Sequence, residues 1–424
     1  MTADTAPAGP RGRPRGGLVP ALRARRLELA LLAGSFALLA LLAGPRLLRQ
    51  SHAPHFVYQA DAWLHGQLHL RVTPPDDNDW ARAGDRWYVS FPPGPALLML
   101  PGVALWGFQF GDVFFTLAFA ALNAALLFLW LEALGRGGEH RRSRRQNAAL
   151  ALLFAFGTVA LSCSIRGEVW FTAEVLGVTA TLLYLLAAHR ARRPLLAGLA
   201  WGFAAATRAP LVFSAVYFLL EAVAGGGRPG QRWRDPTVWR DRARWRRLGL
   251  FALGAAPLLA FAAWSNWARF GSPFDFGHAH FWNNRVNADV QRYGLFSLHY
   301  LEAQLHAAFT RLPHLEGGRL AWDPHGMSLF LTTPLFLWLL WPRERPRLHA
   351  ALWLAVAATA LPGFFYQNTG YVQFGYRFSL DWTPYLFALL ALGGRPMGRA
   401  FWAAGLLGVA VNVWGALTFT GGVN

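Results

Sequence analysis

Residues 113–134 read VFFTLAFAALNAALLFLWLEAL and carry a single charged side chain, Glu132, near the end of the run. A helix over these residues would be about 33 Å long, which is enough to cross the hydrocarbon core of a bilayer. Similar apolar blocks recur along the 424 residues, of which 54% are hydrophobic and 15% are charged. A soluble domain carries about 25% charged residues. The composition therefore excludes a water-facing globular protein and indicates an all-α integral membrane protein.

The apolar blocks predict about eleven membrane spans, with the N-terminus in the cytoplasm and the C-terminus outside. Besides residues 113–134, the predicted spans are residues 27–44, 148–164, 170–188, 194–207, 209–224, 248–267, 326–341, 349–366, 383–392 and 400–420. Residues 91–110 are also apolar, but their prolines and glycines favour a segment that dips into the outer face without crossing. The break near Arg208 divides residues 194–224 into two short spans.

Arginine placement supports this orientation. The sequence has no lysine, so all 40 basic residues other than histidine are arginine, and the formal net charge is +18. The densest clusters, within residues 136–145 and 228–247, fall between predicted spans on the cytoplasmic side, as the positive-inside rule requires. The charge is thus an orientation signal, and no nucleic-acid-binding motif accompanies it.

We predict two parts of the chain: a disordered basic cytoplasmic tail over residues 1–26 and a single transmembrane domain over residues 27–424. Two long outer regions, residues 47–91 and 268–325, are rich in Trp, Tyr, His and Asp. The first of them is expected to carry juxtamembrane helices. The cytoplasmic loops are short and mostly basic, so any chemistry is expected on the outer face.

The first outer region offers two carboxylates as candidate bases, Asp79 and Asp61. A carboxylate beside a membrane can accept a proton from an acceptor hydroxyl. Asp61 lies in a stretch with helical spacing, beside a face that carries Tyr58. We interpret Tyr58 and His55 as substrate contacts. Two alternatives remain open: Asp61 is a solvated position on an amphipathic helix, and Asp79 caps a short helix that follows it.

Three further segments carry candidate residues. His278 lies in a loop broken by glycine and proline, which is typical of a shaped functional loop or of an aromatic anchor at the membrane interface. Arg377 is at the outer end of the penultimate span, between Tyr376 and Asp381, where its guanidinium can hold a phosphate through two hydrogen bonds. The alternative for Arg377 is an arginine that reaches ordinary lipid headgroups. Arg208, at the break between two short spans, is a second phosphate candidate. We interpret His278, Tyr376 and Asp381 as further substrate contacts.

Several phrases resemble the GT-C superfamily of polytopic glycosyltransferases, in the group with bacterial protein O-mannosyltransferases and aminoarabinose transferases. They are YVSFPPGPALLMLP at residues 88–101, LLAGLAWGFAAATRAPL at residues 195–211, NWARFGSPFDFGH at residues 266–278 and QFGYRFSLDWTPYL at residues 373–386. The cytoplasmic N-terminus, the long first outer loop and the arginine-rich turns agree with the same layout.

The resemblance implies transfer of a sugar from a polyprenyl-phosphate donor to an acceptor on the outer face. It also implies a carboxylate base in the first outer loop and an outer-loop arginine on the donor phosphate. The chain departs from the family in one respect, since His52 and Ala53 stand where family members often have an acidic pair. Three alternatives follow: Asp61 or Asp79 acts instead, the acceptor chemistry differs, or the protein has lost catalysis.

Two other function classes remain open. The chain could be a transporter or flippase for a lipid-linked sugar, which requires a polar path to both faces, or a noncatalytic scaffold of envelope polysaccharide assembly. The expected partners are a polyprenyl-phosphate sugar, the bilayer and a glycan, lipid or protein acceptor, with no nucleic acid. The sequence identifies no cofactor and no metal ligands, and leaves a divalent cation open. The expected location is the cytoplasmic membrane of a bacterium, with the site facing outwards.

Overall fold

The computed structural model describes residues 25–76, 78–224, 240–282 and 284–419, except for the side chains of residues 284–287. The predicted basic tail lies almost entirely outside these residues. The α-helices are α1 (Arg26–Ala43), α2 (His55–Leu64), α3 (Gly94–Trp106), α4 (Asp112–Arg136), α5 (Arg144–Phe156), α6 (Ala160–Ser164), α7 (Val169–Ala188), α8 (Pro194–Ala205), α9 (Ala215–Ala224), α10 (Arg242–Phe270), α11 (Asn284–Tyr293), α12 (Leu301–Leu305), α13 (Leu329–Thr332), α14 (Leu348–Phe364), α15 (Thr383–Leu392) and α16 (Arg399–Thr418).

Short 3₁₀ segments and two small hairpins complete the architecture. The 3₁₀ segments are Gly44–Leu48, Gly107–Gln109, His189–Ala191, Ala209–Ser214, His278–His280, Leu298–Tyr300, Pro334–Leu340 and Arg377–Asp381, and a π-helical turn covers His306–Thr310. One antiparallel hairpin pairs β1 (Trp80–Ala83) with β2 (Arg86–Val89), and another pairs β3 (His314–Glu316) with β4 (Arg319–Ala321). Both hairpins lie in the predicted outer regions.

Among the described residues, five helices are long and apolar enough to cross a membrane: α1, α4, α7, α10 and α16. Exposed leucines on α1 and α10, such as Leu41 and Leu253, give these helices the outward apolar surface that lipid requires. The chain is thus mostly helical and has the features of a multi-pass membrane protein. The total of eleven spans and the sides of the two termini remain predictions.

Several predicted spans are shorter or broken. The segment 326–341 forms only α13 and a 3₁₀ segment that begins at Pro334, because proline lacks the N–H group that an α-helix needs. The segment 148–164 is interrupted between α5 and α6 at Gly157. Residues 194–224 break at Arg208, as the sequence predicts. The apolar segment after Phe91 forms α3, whose 13 residues span about 20 Å, too short to cross a bilayer.

The centre of the molecule is built from α4, α7 and α15. All ten residues of α15 are buried, and α7 is buried on nearly every side. Between α4 and α7, the Asn123 amide donates to the Val175 carbonyl at 3.0 Å and accepts from Thr179 at 2.6 Å. Asn123 therefore joins two helices, which is the packing role that a neutral polar group usually has inside a membrane protein.

The two outer regions fold together above this helical body. The Trp282 N–H donates to the Trp80 carbonyl at 3.1 Å, and a β-bridge joins Phe281 to Ala81. From the end of α10, the Arg269 guanidinium donates to the Val89 carbonyl of β2. These contacts fix the β1–β2 hairpin and the residues before it relative to the helices.

Candidate functional site

A cavity lies between the outer regions and the helical body, with a volume of about 1300 Å³ including the space at its mouth. The charged side chains that line it are Asp79, Glu174, Arg208, Arg377 and Asp381, and the aromatic residues are Phe91, Trp170, Phe276, His278, Phe281, Phe296, Tyr366, Tyr371, Tyr376, Phe378 and Trp382. Six of the nine candidate residues thus line one cavity. The other three, Asp61, Tyr58 and His55, are not among its lining residues.

Asp79 is placed at the cavity wall by the turn that leads into β1. Its φ of 61° lies in the left-handed region, which a non-glycine residue adopts only when its surroundings hold it there. The Trp170 indole N–H donates to its carboxylate at 2.8 Å, and the Ser90 hydroxyl donates to its backbone carbonyl at 3.2 Å. Burial raises the pKa of Asp79, while the Trp170 hydrogen bond and the charge of Arg377 act in the opposite direction.

The alternative that Asp79 caps a short helix is excluded, because residues 80–83 form strand β1. Alternating and aromatic residues on both sides of Gly84 favour a hairpin, and Gly84 takes the positive φ of 60° that its turn requires. The position of the Asp79 carboxylate is therefore fixed by the turn that precedes β1 and by the hydrogen bond from Trp170. It remains available to the cavity.

His55 supports the segment before Asp79 from outside the cavity. Its ring stacks on Trp80 with centroids 3.6 Å apart, and its Nε2 is 2.9 Å from the Asn78 carbonyl. Since a carbonyl only accepts, Nε2 must carry the proton. Burial lowers the pKa of His55 to about 4, so its ring is neutral at neutral pH. The predicted substrate contact is in this structure a support for the loop that carries Asp79.

Asp61 and Tyr58 also point away from the cavity. Asp61 is buried and lies 3.2 Å from the Arg71 guanidinium and 3.7 Å from His65. Tyr58 packs against Trp80 and Phe108, with ring centroids 5.5 Å and 4.9 Å away. Helix α2 therefore uses these side chains within the first outer region. The solvated alternative for Asp61 is wrong, because the carboxylate is buried in an ion pair.

Arg208 is held by two carboxylates. Its Nε and Nη2 donate to Asp381 at 2.5 Å and 2.9 Å, and its Nη1 lies 3.1 Å from Glu174. The break between α8 and α9 places it there, because helical geometry ends at Ala205 and Arg208 is extended, with φ −145° and ψ 123°. Most of its hydrogen-bonding capacity is used inside the protein. The predicted substrate contact Asp381 is likewise committed to Arg208.

Arg377 is held mainly through its backbone and one edge of its side chain. Its N–H donates to the Gln373 side chain at 2.9 Å, and its Nη1 donates to the Val372 carbonyl at 3.3 Å. The guanidinium lies 5.3 Å from the Phe171 ring and 5.4 Å from the Phe378 ring. Its Nε donates to no residue that the structure describes. Of the two arginines, Arg377 therefore has the more available donors.

Glu174 is a charged residue of this site that the sequence analysis did not identify. It lies one turn into α7, between the two arginines, 3.1 Å from Arg208 and 3.8 Å from Arg377. The sequence does contain a signal for Glu174, because it is an acid within the apolar run VWFTAEVLGV of residues 169–178. An ionisable side chain is costly inside a membrane, and its presence there indicates a functional position.

His278 and Tyr376 contribute mainly ring surface. The His278 ring packs beside Phe281, with centroids 5.0 Å apart, and burial lowers its pKa to about 4. It is therefore neutral at neutral pH. The Tyr376 hydroxyl donates to the Gln304 side chain at 2.9 Å, and its ring faces the cavity. With the other aromatic residues they form a wall on which sugar rings or apolar chains can pack.

The described residues include no group of three His, Cys, Asp or Glu side chains placed to hold a metal ion. Asp77 lies outside the described part of the chain. The chemistry below uses the side chains of the described residues. Arg166 and Glu168 lie outside the cavity lining and form a buried pair with 3.8 Å between their charged groups.

No protein-family model and no curated protein matches the chain. Among solved structures, ArnT from Cupriavidus metallidurans bound to undecaprenyl phosphate aligns over 92% of this chain and 63% of its own, with 16% identity and a TM-score of 0.45. The apo Archaeoglobus fulgidus oligosaccharyltransferase aligns over 91% and 56%, with 14% identity and a TM-score of 0.44. This chain thus spans less than two thirds of the length of either protein. Both are members of the GT-C superfamily, which the sequence also resembles, and at these values the likeness concerns the course of the backbone alone.

Proposed function

We propose that this protein is a membrane glycosyltransferase that moves a sugar from a polyprenyl-phosphate donor to an acceptor hydroxyl on the outer face of the membrane. The observation that carries the proposal is that one aromatic-walled cavity holds both a hydrogen-bonded carboxylate, Asp79, and an incompletely paired guanidinium, Arg377. A transfer of this kind needs those two groups on opposite sides of the reacting carbon.

In the proposed reaction the acceptor oxygen attacks the anomeric carbon of the sugar. Asp79 accepts the proton of the acceptor hydroxyl, which raises the nucleophilicity of that oxygen. The bond between the anomeric carbon and the phosphate oxygen breaks, and its electron pair stays on the phosphate. Arg377 stabilises the charge that develops there, and this contribution is largest in a cavity that excludes water.

Arg208, Glu174 and Asp381 form a charged cluster beside Arg377. The two carboxylates and Arg208 are mutually paired, so they keep a fixed arrangement before any donor binds. Because these charged groups are already in place, little free energy is needed to reorient them when the transition state forms. The aromatic wall would receive the sugar and the first part of the polyprenyl chain.

The direct test measures transfer from labelled polyprenyl-phosphate sugars in membranes that contain the wild type, Asp79→Asn, Asp61→Asn or Arg377→Gln. We expect Asp79→Asn and Arg377→Gln to lower the rate by about 100-fold or more at equal protein level. Asp61→Asn is the matched control, because Asp61 is an acid of the same outer region that does not line the cavity. Equal loss in Asp61→Asn and Asp79→Asn would contradict the assignment of the base.

One observation favours the second function class. Glu174 is a buried acid within a candidate span, and buried acids often line transport pathways. The transporter proposal predicts that labelled lipid-linked sugar crosses proteoliposome membranes without transfer to an acceptor. Flip of the donor with no transfer to any acceptor would favour transport over catalysis.

A further inference from the structure

We infer that Glu174 limits the negative charge that the cavity accepts, and so makes the site select a donor with one phosphate over a donor with a diphosphate. The inference rests on the proposed function, since it concerns the donor of the same site. It adds a specificity-determining residue that the proposed reaction does not itself require.

The first step of the argument is the position of Glu174. Its side chain is fully buried, with 0% of its surface exposed, and it lines the cavity from α7. Neither carboxylate oxygen accepts a hydrogen bond from any residue that the structure describes. Its compensation comes from charge alone, through the Arg208 guanidinium 3.1 Å away, and a buried carboxylate held in this way points to a role in the charge of the site.

The second step is that Glu174 competes with a donor phosphate for the charge of Arg377 but does not hold Arg377 in position. The guanidinium Nε and the nearest Glu174 oxygen are 3.8 Å apart, without a hydrogen bond. Arg377 is held in place by Gln373 and by the Val372 carbonyl. Removal of the Glu174 charge should therefore leave Arg377 in position and increase its attraction for a phosphate.

The third step is the charge of the whole cavity. Its ionisable lining side chains, apart from His278 and the tyrosines, are the carboxylates of Asp79, Glu174 and Asp381 and the guanidiniums of Arg208 and Arg377. When all five are ionised, they leave one negative charge in excess. His278 adds none, because its ring is neutral. A phosphate diester brings one further negative charge, whereas a diphosphate diester brings two. Because charges interact strongly in a poorly hydrated site, the second charge is strongly disfavoured.

Two soluble diester probes test the selection: the methyl ester of farnesyl phosphate, with one negative charge, and the methyl ester of farnesyl diphosphate, with two. Their binding to the purified full-length chain is measured by displacement of a labelled lipid phosphate. We expect the wild type to prefer the monophosphate by about tenfold or more. In Glu174→Gln the diphosphate should bind more tightly and the preference should fall by about tenfold. Glu168→Gln is the matched control and should keep the wild-type preference, because Glu168 is a buried acid outside the cavity.

A second variant covers the case in which Glu174→Gln does not fold. Asp381→Asn removes another lining charge and should reduce the preference in the same direction, whereas Glu174→Asp retains the charge and should preserve it. An unchanged preference in Glu174→Gln, or a wild type that prefers the diphosphate, would overturn the inference while leaving the proposed transfer intact. A folded wild type that binds neither probe would instead contradict the proposed function.

Discussion

At the scale of single residues, the site depends on how its surroundings treat equivalent side chains. Asp79 and Asp61 are two aspartates of one outer region, yet one lines the cavity beside Trp170 and the other is buried against Arg71. Arg208 is occupied by two carboxylates, while Arg377 keeps an unpaired Nε. From residue type alone, the two aspartates have the same candidate role, and so do the two arginines. Only the neighbouring side chains show that the members of each pair differ.

The raised pKa of Asp79 gives a prediction about pH. The proposed base must be ionised, and burial raises its pKa above the ordinary value of 3.8. The kcat/KM for transfer should therefore fall, as the pH is lowered, at a higher pH than an exposed aspartate would give. Since the charge of Arg377 lowers the pKa of Asp79, Arg377→Gln should move this acid limb to still higher pH.

The measurement is kcat/KM against pH for the wild type, Arg377→Gln and Asp61→Asn. The Asp61 variant should retain the acid limb of the wild type. An Arg377→Gln limb that stays in place, or moves to lower pH, would show that the two side chains do not share one electrostatic environment.

At the scale of helices and strands, the interruptions between helices determine where the site residues lie. Helix α3 begins where the chain contacts the break after α8, and the Gly94 N–H donates to the Ala206 carbonyl at 2.7 Å. A Cβ on Gly94 would lie 2.4 Å from the Thr207 hydroxyl oxygen and 2.9 Å from the Ala206 carbonyl oxygen. Glycine is required here because two backbones approach closely. This contact braces the residues next to Arg208.

We therefore predict that Gly94→Ala lowers stability by about 1–3 kcal/mol and reduces transfer, because the backbone at Thr207 must move. Thermal unfolding and transfer rate in detergent would be measured together. Gly249→Ala is the control, since a Cβ there meets no atom within 4 Å and alanine favours a helix. Equal effects of the two substitutions would show that the contact at Gly94 has no special role.

The elements also show what a sequence can predict. The long apolar helices, the break at Arg208 and the shortness of the helix after Phe91 follow from composition and proline placement, which are local properties. The β1–β2 hairpin was missed, although aromatic residues around Gly84 favour it. The burial of Asp61 against Arg71 could not be predicted, because residue spacing does not show how the chain folds back after α2.

At the scale of the whole molecule, the orientation in the membrane is still a prediction from arginine placement. In this predicted orientation, the outer regions face away from the cytoplasm and the arginine-rich turns face the cytoplasm. The native cysteine, Cys163, is buried. Maleimide labelling of an introduced, exposed cysteine can therefore be measured with little background. Asp85, in the turn between β1 and β2, and Arg345, in an arginine-rich turn, are both exposed positions on opposite predicted sides.

In intact cells a membrane-impermeant maleimide should label Asp85→Cys and not Arg345→Cys, and both should react after the membrane is opened. The wild type, with Cys163 alone, is the control. Labelling of Arg345→Cys in intact cells would invert the predicted orientation and place the cavity on the cytoplasmic side.

The central claim is that Asp79 and Arg377 act on one donor bound in one cavity. An experimental structure of Asp79→Asn with a bound polyprenyl-phosphate sugar tests it most directly, because this variant should bind the donor without consuming it. The account predicts a phosphate oxygen within about 3 Å of the Arg377 guanidinium and the anomeric carbon on the side of residue 79. A donor phosphate bound elsewhere, with the cavity empty or filled by the lipid chain alone, would contradict it.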